Sequence, residues 1–158
     1  MKNNLLQAVA AIEYANSKNL KLFSSMSVEP AGDDNLKNLR ALFAKARHVL
    51  IEHRGMSDAD FLLLVGQMDL SMCVPFSKAF CVVAADSVAT GIPTVVSQEI
   101  EWASRVSMAD PTDADDIVRV MRRLLTPVVR RWAVWNNRCH LCEFYEESRG
   151  QWLAASGE

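Results

Sequence analysis

Residues 69–97 read Asp69-Leu70-Ser71-Met72-Cys73-Val74-Pro75-Phe76-Ser77-Lys78-Ala79-Phe80-Cys81-Val82-Val83-Ala84-Ala85-Asp86-Ser87-Val88-Ala89-Thr90-Gly91-Ile92-Pro93-Thr94-Val95-Val96-Ser97, and this pattern decides the architecture. Leu70 to Val74 has the composition of a short strand. The polar break Pro75-Phe76-Ser77-Lys78 gives way to an almost wholly apolar run from Ala79 to Ala89, which ends at Gly91 with Pro93 two residues later. That is a helix stopped by a C′ glycine, and Thr94-Val95-Val96-Ser97 is the next strand. A helix apolar on nearly every side is buried between layers.

The same alternation extends both ways. Upstream, Leu5, Ala8, Val9, Ile12 and Ala15 put a helix at 2–17. Leu20 to Ser25 is a strand, and a loop with Pro30, Gly32 and Asp33 leads into a helix near 34–47. His48 to Glu52 is a further strand, and Ser57-Asp58-Ala59-Asp60 caps a helix carrying Phe61, Leu64, Val65 and Met68. Downstream, Pro111 to Asp116 caps a helix to about Leu125. Thr126-Pro127 starts a long last helix, 127–153. Strands separated by helices at this spacing predict an α/β domain: one parallel sheet with helices on both faces, spanning 1–158.

Bulk properties narrow the function classes. A chain of 158 residues fits one domain, and 50% hydrophobic with 23% charged residues argues against disorder. A formal charge of −2 gives no electrostatic reason to expect nucleic acid or an anionic membrane. No segment approaches the ~20 apolar residues of a membrane span, and Met1-Lys2-Asn3-Asn4 does not open a signal peptide, so a cytoplasmic protein is expected. Arg119, Arg122, Arg123, Arg130, Arg131 and Arg138 read as solvated helix faces, with a phosphate-binding patch as the alternative. The four cysteines are expected to be reduced. Cys139 and Cys142 continue the stripe Val128, Trp132, Trp135, Tyr145, which reads as core; zinc would need a second ligand pair.

In a parallel α/β sheet, ligands bind at the carboxyl ends of the strands, where helix N-termini attract phosphate. Three loops qualify: Ser24 to Asp33, Glu52 to Ser57, and Pro75 to Phe80. In the third, Ser77 can cap the buried helix while its N–H groups and Lys78 face a pyrophosphate. Asp86, about two turns on, is the lone formal charge inside that helix. A ribose diol, solvent or a structural ion pair would each satisfy it.

The stretch 69–97 resembles the signature of family 4 of the glycosyltransferases: a strand, Pro-Ser, a Glu followed by Gly-Phe-Gly, a second Glu eight positions after the first, Ala-x-Ala-x-Gly-x-Pro, and a Val-Val-Ser strand. Lys2-Asn3 is similar to the Lys-Asn opening of that family's second domain, and Asp110 to Leu125 to its Asp-Pro tail and helix. The resemblance implies the nucleotide-sugar-binding, Rossmann-like half of a retaining GT-B enzyme, with the usual first strand missing. It places Asp86 on the ribose, Lys78 at the first-Glu position, the backbone of Ala79, Phe80 and Cys81 on the diphosphate, and Lys2 as the phosphate cation. His53-Arg54-Gly55-Met56 falls where the base pocket is lined, so Arg54 and Gly55 join Ser77 as donor-site residues. No metal or cofactor is expected besides the nucleotide-sugar substrate.

The pattern also departs from that family. Lys78 reverses the charge of the first Glu, Asp86 is a methylene shorter than Glu, and Ala79 and Cys81 replace glycines where backbone would approach phosphate. Lys78 is thus only a candidate catalytic residue. Retaining transfer takes place between two domains, so catalysis would require an N-terminal acceptor domain or partner. The competing reading is a non-catalytic scaffold of the same fold that assembles, for example as a homo-oligomer, over an open sheet edge. A flavodoxin-like receiver is a weaker alternative, since no acidic cluster follows an N-terminal strand.

Overall fold

Local chemistry sets most element boundaries. The computed structural model describes residues 3–27, 34–77 and 80–156. Lys2, Lys78, Ala79 and the loop with Pro30, Gly32 and Asp33 lie outside them. In chain order the elements are α1 (Asn4–Ser17), β1 (Phe23–Ser27), α2 (Asp34–Ala46), β2 (Val49–His53), α3 (Asp58–Val65), β3 (Ser71–Cys73), α4 (Val82–Thr90), β4 (Thr94–Ser97), β5 (Met108–Ala109), α5 (Ala114–Leu124) and α6 (Pro127–Ser156). Ser57 caps α3 by accepting the Asp60 N–H, and Asp113 caps α5 by accepting those of Asp115 and Asp116. Gly91 ends α4 at φ 88°, and Ile92 N–H reaches back to the Ser87 carbonyl at 2.8 Å, the closing bond of a Schellman turn.

All strand pairing is parallel: β1 with β2, β3 with β4, and β4 with β5. The strands form two sheets, of two and three strands, instead of the single sheet expected. In the doubly wound order 3-2-1-4-5-6 the first strand joins the two halves. Among the described residues no strand precedes α1, and β1 and β3 do not pair. Helices cover both faces of β4. Val95 packs with Ile117, Val120 and Leu124 of α5, while Val96, facing the other way, packs with Ala84 and Val88 of α4 and with Trp102. Each valine is at most 1% exposed, and burying each contributes about 1.5–3 kcal/mol.

Several expectations are corrected. Strand β1 starts at Phe23, not Leu20: Asn19, at φ 52°, closes α1 with Leu20 N–H on the Ala15 carbonyl, so the chain clears the helix before pairing. Helix α4 starts at Val82, not Ala79. Strand β5 and the single 3-10 turn before it (Arg105–Ser107) were too short to show a period.

Helix α6 turns its expected core stripe to solvent. Val128 is 79% exposed and Trp135 62%, and Trp132, Cys142 and Tyr145 are exposed too. The buried side runs through Ala133, Val134 and Asn137 to Leu141 and Phe144, about half a turn away. A hydrogen-bond set fixes that rotation. The Asn137 carboxamide accepts the Ser104 N–H at 2.8 Å and donates to Ser107 Oγ at 2.8 Å, while Asn136 donates to Ser104 Oγ at 2.6 Å. Ala133 lets the helix axis approach closely at the point where a tryptophan would hold it off. Among the described residues no helix is long and apolar enough to cross a membrane.

Candidate functional site at the carboxyl ends of the strands

Three strand exits at the carboxyl ends of the two sheets carry the candidate residues. Strand β2 runs out at His53 into Arg54 and Gly55, the latter at φ 60° with open space where a Cβ would sit, and then into the Ser57 cap of α3. Strand β3 leaves at Cys73 into Val74, Pro75, Phe76 and Ser77. Strand β4 leaves at Ser97.

The β3 exit is pinned from two sides. Cys73 and Cys81 form a disulfide across a sequence separation of 8, contrary to the expectation of four reduced thiols; Cys139 and Cys142 are free. Sequence spacing did not show that the chain doubles back after Pro75 to bring the start of α4 to the end of β3. The same closure shortens α4. Cys81 is held left-handed at φ 54° and is the N-cap residue, so the helix begins after it, and the capping role expected of Ser77 is not taken up. The Cys81 side chain makes no cap hydrogen bond to the N–H groups of the first turn. On the other side, the buried Trp102 donates its indole N–H to the Phe80 carbonyl at 2.9 Å, and the Phe80 ring lies against Trp102 and Phe144 at centroid distances of 6.3 and 6.0 Å.

Two of the strand exits hold buried polar atoms without partners among the described residues. Three buried side-chain atoms lack a hydrogen-bond partner among the described residues: His53 Nε2, Ser97 Oγ and Arg123 Nε. The first two sit at the carboxyl ends of β2 and β4. Leaving such a group dry and unpaired costs about 1–3 kcal/mol, so a bound partner there would recover energy. Asp86, in the second turn of α4, is half-buried, and its carboxyl is raised above the usual carboxylate range, chiefly by burial and secondly by the neighbouring Asp58 at the start of α3. The Asp86 side chain has no hydrogen-bond or ion-pair partner among the described residues, unlike Glu52, whose carboxylate is held low by a two-pronged pair with Arg40 at 2.6 Å.

The structure therefore brings Asp86, the first turn of α3, Phe80 and Cys81 to the same end of the sheets. Arg54 acts electrostatically on Glu52, and no contact ties it to Asp86. Ser97, Trp102 and the disulfide were not singled out in the sequence. Nothing in spacing or composition marks the tryptophan of an irregular loop as a strut for a loop 22 residues earlier. At the far side, Asn3 is buried and donates to the Pro111 carbonyl at 2.6 Å, joining the two outlying segments of the resemblance.

No protein-family model matches the sequence, and no curated protein matches it. Among solved structures, the crystal structure of a UDP-forming α,α-trehalose-phosphate synthase from Burkholderia xenovorans is similar over 97% of this chain, with a TM-score of 0.75 and 15% sequence identity. The chain has a GT-B glycosyltransferase-like fold. It spans 41% of the length of that synthase. At this identity the likeness speaks for the fold, and the residues of the site are argued from their own chemistry.

Proposed function

We propose that the chain is the donor-side domain of a family 4-type retaining glycosyltransferase and binds a nucleotide-diphospho-sugar at the carboxyl ends of its strands. The observation that carries this reading is a set of polar groups at the carboxyl ends of the strands and in the helix that follows β3: buried His53 Nε2 and Ser97 Oγ, without partners among the described residues, and the half-buried Asp86. Asp86 would accept the ribose hydroxyls. The N–H groups opening α4, with Lys78 and Lys2, would take the diphosphate. Arg54 and Gly55 would border the base. As the bond from the sugar carbon to the diphosphate oxygen breaks, these N–H groups and cations would stabilise the charge on the departing nucleoside diphosphate without a metal. An acceptor hydroxyl, bound by an N-terminal acceptor domain or a partner chain, would form the new bond to the sugar carbon and give up its proton as the nucleoside diphosphate leaves.

Calorimetric titration with UDP, GDP, ADP and their sugar conjugates tests this. Binding by one base series, weakened by Asp86→Ala, is expected; no affinity for any of them up to millimolar concentration would refute it. One observation favours a second reading, an assembling scaffold that does not catalyse: the apolar face of α6 through Val128, Trp132 and Trp135 lies in solvent. Sedimentation velocity showing only monomer across a wide concentration range would remove it.

A further inference from the structure

An open groove lies at the opposite end of the three-stranded sheet. It offers about 250 Å³ and is lined by Gly91, Arg130, Arg131, Val134, Trp135 and Arg138. Gly91 closes α4 and leads into β4, and Arg130 reaches Asp69, just ahead of β3, at 4.0 Å. The groove therefore sits where β3 and β4 begin, separated from their carboxyl ends by the length of α4, about 13 Å.

We infer that this groove binds a small phosphate monoester carrying a planar ring, of the size of a nucleoside monophosphate. Three guanidiniums line it. Arg138 is fixed in place, with Nε donating to the Val88 carbonyl at 2.9 Å and Nη2 to the Ala89 carbonyl at 2.7 Å. These bonds satisfy the open carbonyl end of α4 and leave further N–H groups of the same fork for a ligand. Among the described residues Arg130 has one counter-charge, the exposed Asp69 at the outer limit of an ion pair. Arg131 has no hydrogen bond or ion pair among the described residues. A rigid guanidinium beside two weakly compensated ones is the donor set that grips a phosphate.

The ring requirement comes from Trp135. Its indole lies at the groove with 62% of the residue in solvent, next to the buried Val134, and offers a flat apolar surface among cations. Planar rings stack on such an indole and on guanidinium planes together. Gly91 leaves the floor open: a Cβ there would meet only Arg138 Nη2, at 3.8 Å. The volume falls just under the roughly 300–1,000 Å³ of pockets that enclose drug-sized molecules, which suits one ring with one phosphate. This site stands apart from the proposed donor site, since it shares no residue with it.

The test is a titration of the whole chain with AMP, with adenosine and inorganic phosphate as controls, on the unmodified protein and on Arg131→Ala, Trp135→Ala and Asp86→Ala. Arg131 and Trp135 are exposed, so their substitution leaves the fold intact, which unchanged thermal melts would verify. Saturable AMP binding is expected, weakened about tenfold or more by Arg131→Ala and by Trp135→Ala, the loss of one charge-assisted bond or one stacked ring. Asp86→Ala should leave it unchanged. Binding that vanishes in Asp86→Ala yet survives Arg131→Ala would place AMP in the donor site and overturn the inference. Equal affinity for inorganic phosphate and AMP would overturn the ring requirement, and absence of AMP binding at millimolar concentration would overturn the site.

Discussion

The Cys73–Cys81 bridge gives a prediction with a worked size. Closing a loop of sequence separation 8 removes about 2.5 kcal/mol of chain entropy from the unfolded state on the loop-closure relation. For a chain of this length that corresponds to roughly 5–10 °C in melting temperature. Cys73→Ser/Cys81→Ser should lose that amount under oxidising conditions, and treating the unmodified chain with a dithiol reductant should lower its melt to match. The residue at 81 contributes separately. At φ 54° a side chain is strained by about 1–2 kcal/mol, so Cys73→Ser/Cys81→Gly should recover about 1 kcal/mol relative to the double serine variant. The assay is thermal unfolding followed by circular dichroism, with thiols counted by alkylation and mass spectrometry. Four alkylated cysteines in the unreduced chain, or a double serine variant as stable as the parent, would refute the reasoning.

Two further outcomes follow from packing and charge. Asn137→Ala strips the Ser104 N–H and Ser107 Oγ of their buried partner and should cost about 3 kcal/mol, read as a lower urea midpoint with an unchanged slope. Asp86 has a folded-state pKa raised by burial and by Asp58, so its penalty is absent below the unfolded carboxylate pKa and fully present above the raised folded one. Asp86→Asn should therefore be more stable than the parent at neutral pH, with the gap closing as pH falls through that window in a series of urea melts.

Much of the fold was legible because its signals are local. Ser57, Asp113 and Gly91 act on neighbours within a few residues: the first two start α3 and α5 and the third ends α4 where expected. Period alone could not settle the rotation of α6. Its tryptophans and its small residues both repeat at helical spacing, and the choice between them rests on Asn137 meeting Ser104 and Ser107 some 30 residues away. The candidate site divides in the same way. Asp86 was visible as a charge in an apolar helix, whereas the unpaired Ser97 hydroxyl and the Trp102 strut exist only once the strands and loops are brought together.

One departure from the glycosyltransferase pattern, Cys81, and its neighbour Phe80 are held by several contacts. Cys81 stands where a glycine would give a bare approach to phosphate, and the side chain it adds is turned back to Cys73 through the disulfide. Phe80 is tied through its carbonyl to Trp102 and through its ring to Trp102 and Phe144. Held in this way, Phe80 and Cys81 lose little further freedom when a ligand arrives, which lowers the ordering cost of binding. A scaffold that had lost its site would gain stability from the bridge but would have no use for a half-buried carboxylate without a partner among the described residues, one turn into the helix that the bridge starts. That combination favours a retained ligand site over a relic. It also ties donor affinity to the bridge: the same reductant that lowers the melt should weaken nucleotide binding if the pinned loop presents the N–H groups, and should leave it untouched if the loop is only a staple.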